Sequence, residues 1–160
     1  MARMAINGLG RIGRAALKII LDTPQLELVA VNDIAPVDNI AYLLKYDTVY
    51  GRYQKKVDFG GDYLEIEGKR IRFLQEKDPA NLPWAELNID ITLECTGRFT
   101  AREDLEKHLH AGSKYVLLSA PTKSEEVLTV VHGVNSPEGD PRILACASCT
   151  TNSITPVVEI

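Results

Sequence analysis

Ala5-Ile6-Asn7-Gly8-Leu9-Gly10-Arg11-Ile12-Gly13 stands near the start of the chain, and Asp33 follows twenty positions after the last of these glycines. An apolar run, glycines spaced G-x-G-x-x-G, a helical pattern, a second apolar run and then an acid make up a dinucleotide-binding fingerprint. Each part has its own physical task. Gly8 lets the chain turn sharply off the first strand, Gly10 leaves its backbone open to a pyrophosphate, and Gly13 lets the following helix pack close to the sheet. The N–H groups that open the helix have no intrahelical partner, and the helix dipole favours negative charge beside them. An acid at Asp33 accepts both ribose hydroxyls of an adenosine and repels a 2′-phosphate, so the pattern favours NAD over NADP.

The chain has 160 residues, 45% of them hydrophobic and 25% charged, with a net charge of −4. That is enough for one domain with a full core. Basic and acidic residues are interspersed, so nothing suggests a nucleic-acid surface or a membrane patch. The longest apolar stretches fall far short of the roughly 20 residues that a bilayer span needs. Met1 leads directly into a strand pattern, with no signal peptide. Three sparse cysteines, Cys95, Cys146 and Cys149, suit a reducing cytoplasm better than a disulfide scaffold.

Outward from the fingerprint, strands are expected at 3–6, 26–31, 89–94, 115–118, 127–131 and 143–146, and helices at 14–21, 39–46 and from Thr100 to Gly112. The 57–73 segment alternates apolar and polar residues around Gly60-Gly61 and Gly68, the mark of a small antiparallel insertion. Thr100-Ala101-Arg102-Glu103 reads as a capping box. A last helix opens at Cys149 and contains Pro156, which is expected to kink it. Repeated strand–helix alternation implies an α/β fold of the Rossmann type: a doubly wound, mostly parallel sheet with a small antiparallel insertion.

A second site lies in Ala147-Ser148-Cys149-Thr150-Thr151-Asn152-Ser153. A cysteine where a strand gives way to a helix has its thiolate stabilised by unpaired N–H groups and the helix dipole. A thiolate attacks a carbonyl to give a thiohemiacetal, and the same N–H groups can hold the oxyanion. Ser148 and Thr150 flank the sulfur with hydroxyls able to donate to an anionic substrate. A thiol beside a nicotinamide suggests aldehyde oxidation through a thioester.

Five segments together resemble phosphorylating glyceraldehyde-3-phosphate dehydrogenases. They are the stretch from Ala5 to Arg14, Leu43-Leu44-Lys45-Tyr46-Asp47, Glu94-Cys95-Thr96-Gly97, Leu118-Ser119-Ala120-Pro121 and Ala147-Ser148-Cys149-Thr150-Thr151-Asn152. The resemblance runs end to end in the family's order. It implies that Cys149 is the nucleophile, and that Arg11 and Ile12 bind pyrophosphate through their backbone beside Asn7, Gly8, Gly10 and Gly13. It places Asp33 at the adenosine ribose, Lys77 near the adenine, Thr96 and Gly97 on the adenosine side and Ser119 on the nicotinamide side. It gives Ser148 and Thr150 to inorganic phosphate, which attacks the thioester. A phosphorylated aldehyde as substrate, a homotetramer and a cytoplasmic location are implied as well.

The chain departs from that family in three ways. Family members run to about twice this length, and the remaining half carries the histidine base. Residues 1–148 are therefore expected to be the NAD-binding domain and 149–160 the start of a catalytic-domain helix, with negligible hydride transfer in the chain alone. Cys146 stands where the family commonly has Asn, creating Cys146-Ala147-Ser148-Cys149, a candidate for a reversible disulfide; no second C-x-x-C or histidine cluster supports a metal. Ser153 replaces a second cysteine common in the family.

His108 and His110 read as surface residues among charged neighbours, His132 as a structural residue, Cys95 as a buried small hydrophobe, and Trp84 and Phe99 as packing. Cys146 is expected at the end of a buried strand. An erythrose-4-phosphate dehydrogenase shares the same first-half motifs, and a non-catalytic NAD-binding or thiol-sensing module remains a reading from another class.

Overall fold

Strand β1 (Ala2–Asn7) lies near the middle of a nine-stranded sheet, in a computed structural model that describes residues 1–159. Ile160, assigned from sequence to the last helix, lies outside the described residues. From β1 the chain enters α1 (Arg11–Leu21) and returns as β2 (Leu26–Asn32), parallel to β1 with Ile6 opposite Val31 and Asn7 opposite Asn32. α1 begins three residues before the expected start, because Gly10 is already its N-cap. α2 (Val37–Lys45) follows Pro36, and a two-residue hairpin, β3 (Tyr46–Asp47) and β4 (Gly51–Arg52), projects beyond it.

The 57–73 segment forms β5 (Val57–Phe59), β6 (Tyr63–Ile66) and β7 (Lys69–Leu74), antiparallel to one another. It is not separate from the main sheet. β7 runs parallel to β2, with Ala30 opposite Arg72, so the antiparallel piece extends the parallel sheet at one end. On the other side of β1 come β8 (Ile91–Glu94), β9 (Tyr115–Leu118), β11 (Ile143–Ala145) and β10 (Leu128–Thr129), all parallel to their neighbours. The order β10-β11-β9-β8-β1-β2-β7-β6-β5 reverses its direction of winding between β1 and β8. In open sheets of this kind, ligands bind outside the strand C-termini at that reversal.

Alternate residues of β1 serve opposite faces, as strand geometry requires. Met4 and Ile6 pack with Leu17 and Ile20 of α1 and Ile40 and Leu44 of α2. Ala5 faces the other side, with Ala30, Leu82, Trp84 and Ile89. Leu105 of α3 (Arg102–His110) covers Val116, Leu118 and Ala145. Each fully buried Leu or Ile contributes about 1.5–3 kcal/mol, so both faces are held by apolar burial.

Two local expectations fail. Thr100 forms no capping box: the N-cap of α3 is Ala101, and the Arg102 amide donates instead to Ser124 Oγ at 3.0 Å. Thr100 is buried, and its carbonyl accepts from the Lys123 amide and the Thr122 hydroxyl. The loop after β9 thus supplies the cap that the local sequence seemed to offer. β10 is also shorter than the apolar run 127–131, because the Val131 amide turns to Asn135 Oδ1 at 2.7 Å.

Candidate active site

The backbone ladder continues one residue past the strand ends around the reversal. The amide of Gly8 donates to Asn32 O, that of Cys95 to Asn7 O, that of Ser119 to Glu94 O and that of Cys146 to Leu118 O, at 2.7–3.0 Å. Residues Asp33, Gly8, Cys95, Ser119 and Cys146 therefore follow the ends of five neighbouring strands, β2, β1, β8, β9 and β11. Four strand spacings make this lip roughly 19 Å long.

At its Asp33 end lies a cavity of about 670 Å³, within the usual range of ligand sites. Its lining includes Asn7, Gly8, Gly10, Asp33, Lys77 and Thr96, six of the residues singled out from sequence. It also includes Asn32, Ile34, Glu76 and Arg98, to which sequence reasoning gave no binding role, and Cys95 and Phe99, which it had set aside as a small hydrophobe and as packing. Arg11, Ile12, Gly13, Gly97 and Ser119 do not line this cavity, nor do Ser148, Cys149 and Thr150.

The glycine turn is built by close approach. Gly8 has φ +93°, and a Cβ there would lie 2.7 Å from the Thr96 nitrogen. A Cβ on Gly13 would lie 1.9 Å from the Gly8 carbonyl oxygen. At Gly10 nothing lies within 4 Å, so this glycine faces open space beside the first N–H groups of α1. An open backbone at a helix N-terminus is what an extended diphosphate needs. Arg14 Nη1 donates to the Leu9 carbonyl at 3.0 Å, and Arg14 Nη2 is 3.8 Å from Asp47. The amides of Tyr50 and Val49 donate to Asp47 and hold its carboxyl below its ordinary range.

The other end of the lip carries the thiol. β11 ends at Ala145, and Ala147 takes a left-handed conformation, φ +60°. α4 (Cys149–Val158) then begins, with Ser148 as its N-cap and with Pro156 inside its span. Ser148 Oγ accepts the Thr151 amide at 3.0 Å and lies 2.9 Å from Thr150 Oγ1, so both expected phosphate-binding hydroxyls are tied to each other at the helix start. Asn152, which had no assigned role, donates through Nδ2 to Cys146 O and Ser148 O, at 2.6 and 2.9 Å, and clamps the turn. Cys149 is exposed at the first position of the helix.

Cys146 is exposed rather than buried, because the strand stops one residue earlier and the left-handed turn leaves it on the lip. All three cysteines are free thiols. Cys95 is partly covered, and desolvation pushes its thiol up to about 11, opposed by the Ser119 hydroxyl.

His108 overturns the surface reading. It is fully buried, its Nδ1 lies 3.1 Å from Trp84 Nε1 and its Nε2 lies 3.0 Å from Glu94 Oε2. His110 and His132 are exposed. Among the described residues no group of three His, Cys, Asp or Glu side chains is placed to hold a metal.

A family model for the glyceraldehyde 3-phosphate dehydrogenase NAD-binding domain matches residues 2–102, well over half the chain. The chain belongs to this family. NAD is accordingly the cofactor of this domain, and the open backbone at Gly10 with the acid at Asp33 fits it. Relatives bearing the name glyceraldehyde-3-phosphate dehydrogenase align beyond the NAD-binding region. The protein of Geobacillus stearothermophilus is 47% identical over 99% of the chain and 48% of its own length. That of Mycoplasma pneumoniae is 48% identical over 99% and 48%, and that of Thermotoga maritima 46% identical over 100% and 49%. The chain spans about half the length of these dehydrogenases.

Proposed function

We propose that the chain is the NAD-binding and nucleophile-bearing part of an enzyme that oxidises and phosphorylates glyceraldehyde 3-phosphate to 1,3-bisphosphoglycerate. The observation that carries this reading is the shared edge. Cys149, exposed at the start of α4, lies three residues past the β11 end of the lip whose other end is the dinucleotide crevice.

In this reading the Cys149 sulfur attacks the aldehyde carbon, and N–H groups at the start of α4 stabilise the oxyanion. NAD supplies a hydride acceptor. The first N–H groups of α1, including those of Arg11, Ile12 and Gly13, hold its pyrophosphate, and Asp33 takes the adenosine ribose. Lys77, Thr96 and Gly97 border the adenosine half and Ser119 the nicotinamide half. Ser148 and Thr150 hold inorganic phosphate as it attacks the Cys149 thioester, after their mutual hydrogen bond opens. Among the described residues none of the three histidines is hydrogen-bonded to Cys149, so the chain alone is expected to make NADH from this substrate at a negligible rate.

Residues 1–148 form the cofactor domain in this reading, and α4, which buries none of its residues, opens the catalytic domain. The whole enzyme is a cytoplasmic homotetramer; exposed Tyr42, Val49, Tyr50, Ile154 and Val157 support further protein contacts. Among the described residues no helix is long and apolar enough to cross a membrane.

The test is protection of the thiol. Glyceraldehyde 3-phosphate should slow alkylation of Cys149 by iodoacetamide, followed by peptide mass spectrometry, and leave the rate at Cys146 unchanged. Equal rates at Cys149 with and without the aldehyde would remove the nucleophile from this scheme.

A further inference from the structure

A row of buried polar groups runs beneath the crevice. Trp84 Nε1 donates to His108 Nδ1 at 3.1 Å. An indole nitrogen only donates, so Nδ1 carries a lone pair and the imidazole proton sits on Nε2. There it donates to Glu94 Oε2 at 3.0 Å. The same oxygen accepts from Asn7 Nδ2 at 2.6 Å, and Glu94 Oε1 accepts the amide of Thr96 at 2.7 Å and its hydroxyl. Asn7 Oδ1 in turn accepts from Asn32 Nδ2 at 2.7 Å, and Asn32 bonds both the amide and the carbonyl of Glu76.

Four donors thus converge on one fully buried carboxylate that has no Lys or Arg bonded to it among the described residues. Stability alone does not call for this. A buried ionic network is often matched or bettered by apolar residues of similar volume. Apolar residues cannot hold the Thr96 amide and the Asn7 side chain, and both residues line the crevice.

We propose that Glu94 and His108 are positioning residues for the dinucleotide site. Neither lines the crevice. His108 fixes the orientation of Glu94, and Glu94 sets Asn7 and Thr96 against the cofactor; Trp84 fixes the tautomer that lets His108 do so. This inference rests on the crevice being the NAD site.

The experiment is NAD titration of the chain and its variants, well below their melting temperatures. His108→Leu is expected to weaken NAD binding by roughly tenfold, the effect of leaving a buried charged acceptor short of a donor. His108→Gln returns an N–H towards Glu94 and is expected to stay within roughly threefold of the original chain. Leu105→Ala, on the same helix and outside the network, should lower the melting temperature and leave NAD affinity unchanged. The chain has a single tryptophan, so its indole N–H gives one resonance. That resonance should move on saturation with NAD although Trp84 does not line the crevice.

Equal affinity in His108→Leu and the original chain overturns the inference while the cofactor reading stands. So does a loss in Leu105→Ala as large as in His108→Leu. Should His108→Leu not fold, an unmoved indole resonance, or a His108→Gln variant that loses tenfold, overturns it instead. An original chain that binds no NAD overturns both readings.

Discussion

Asp33 Oδ2 accepts the Leu9 amide at 2.6 Å. The acid at the end of β2 thereby pins the glycine turn that follows β1, while its other oxygen accepts the Ala35 amide at 2.9 Å. One carboxylate shapes the turn and faces the crevice. Asp33→Asn keeps the volume but sets an amide where acceptors are needed. NAD affinity should fall roughly tenfold. NADP should lose less, because the charge that repels its 2′-phosphate is gone. Paired titrations with the two nucleotides check this; an unchanged ratio of affinities would count against ribose recognition by Asp33.

Two glycines three residues apart should respond oppositely. Gly13→Ala forces a methyl within 1.9 Å of a backbone oxygen and should cost about 3 kcal/mol in urea unfolding. Gly10 has φ −65° and open space, so Gly10→Ala should cost less than about 1 kcal/mol. It should nevertheless weaken NAD binding, because its methyl occupies the approach to the backbone. Comparable stabilities in the two variants would contradict this division.

Ala147 holds a left-handed backbone at the turn before the thiol, where a Cβ costs about 1–2 kcal/mol. Glycine removes that strain but adds about 0.5–1 kcal/mol of unfolded-state entropy. Ala147 is also buried, and removing its methyl costs about 0.8 kcal/mol more. The opposing quantities then nearly cancel, so Ala147→Gly should leave the melting temperature within about 2 °C of the original. Calorimetry decides, and a fall well beyond that would mean that Asn152 and the helix cap already relieve the turn.

Cys95 gives a pH prediction. Its thiol is raised from 9.0 to about 11 by desolvation. Between these values the unfolded chain has released the proton and the folded chain still holds it. Stability should therefore fall as pH rises through this window, by up to about 1.4 kcal/mol per pH unit from this group. Cys95→Ala should flatten that part of the profile relative to the original chain, measured by urea unfolding from pH 8 to 11. Parallel profiles would show that Cys95 does not carry the effect.

The first βαβ unit was legible because its signals are local: β-branched runs, glycines at turns and an acid at a fixed distance. The thiol at the start of α4 was legible for the same reason. His108 was misread because its neighbours in the chain are charged. Its spacing told more: Leu105, His108 and Leu109 stand at i, i+3 and i+4, which puts the histidine on the stripe that faces the sheet. The cap of α3 was not legible at all, since Ser124 reaches Arg102 from a distant loop. Glu76 and Arg98 entered the crevice lining from the loops that follow β7 and β8, where strand pairing and not side-chain type decides who meets whom.

The outermost strands of the sheet are its shortest or nearly so, two residues in β10 and three in β5. A rim of that length offers few free N–H and C=O groups for another molecule to template upon, and Lys56 and Asp58 put charge beside one of them. A nine-stranded sheet with long, flat outer strands would otherwise invite edge-to-edge aggregation; here its short margins guard the chain against it.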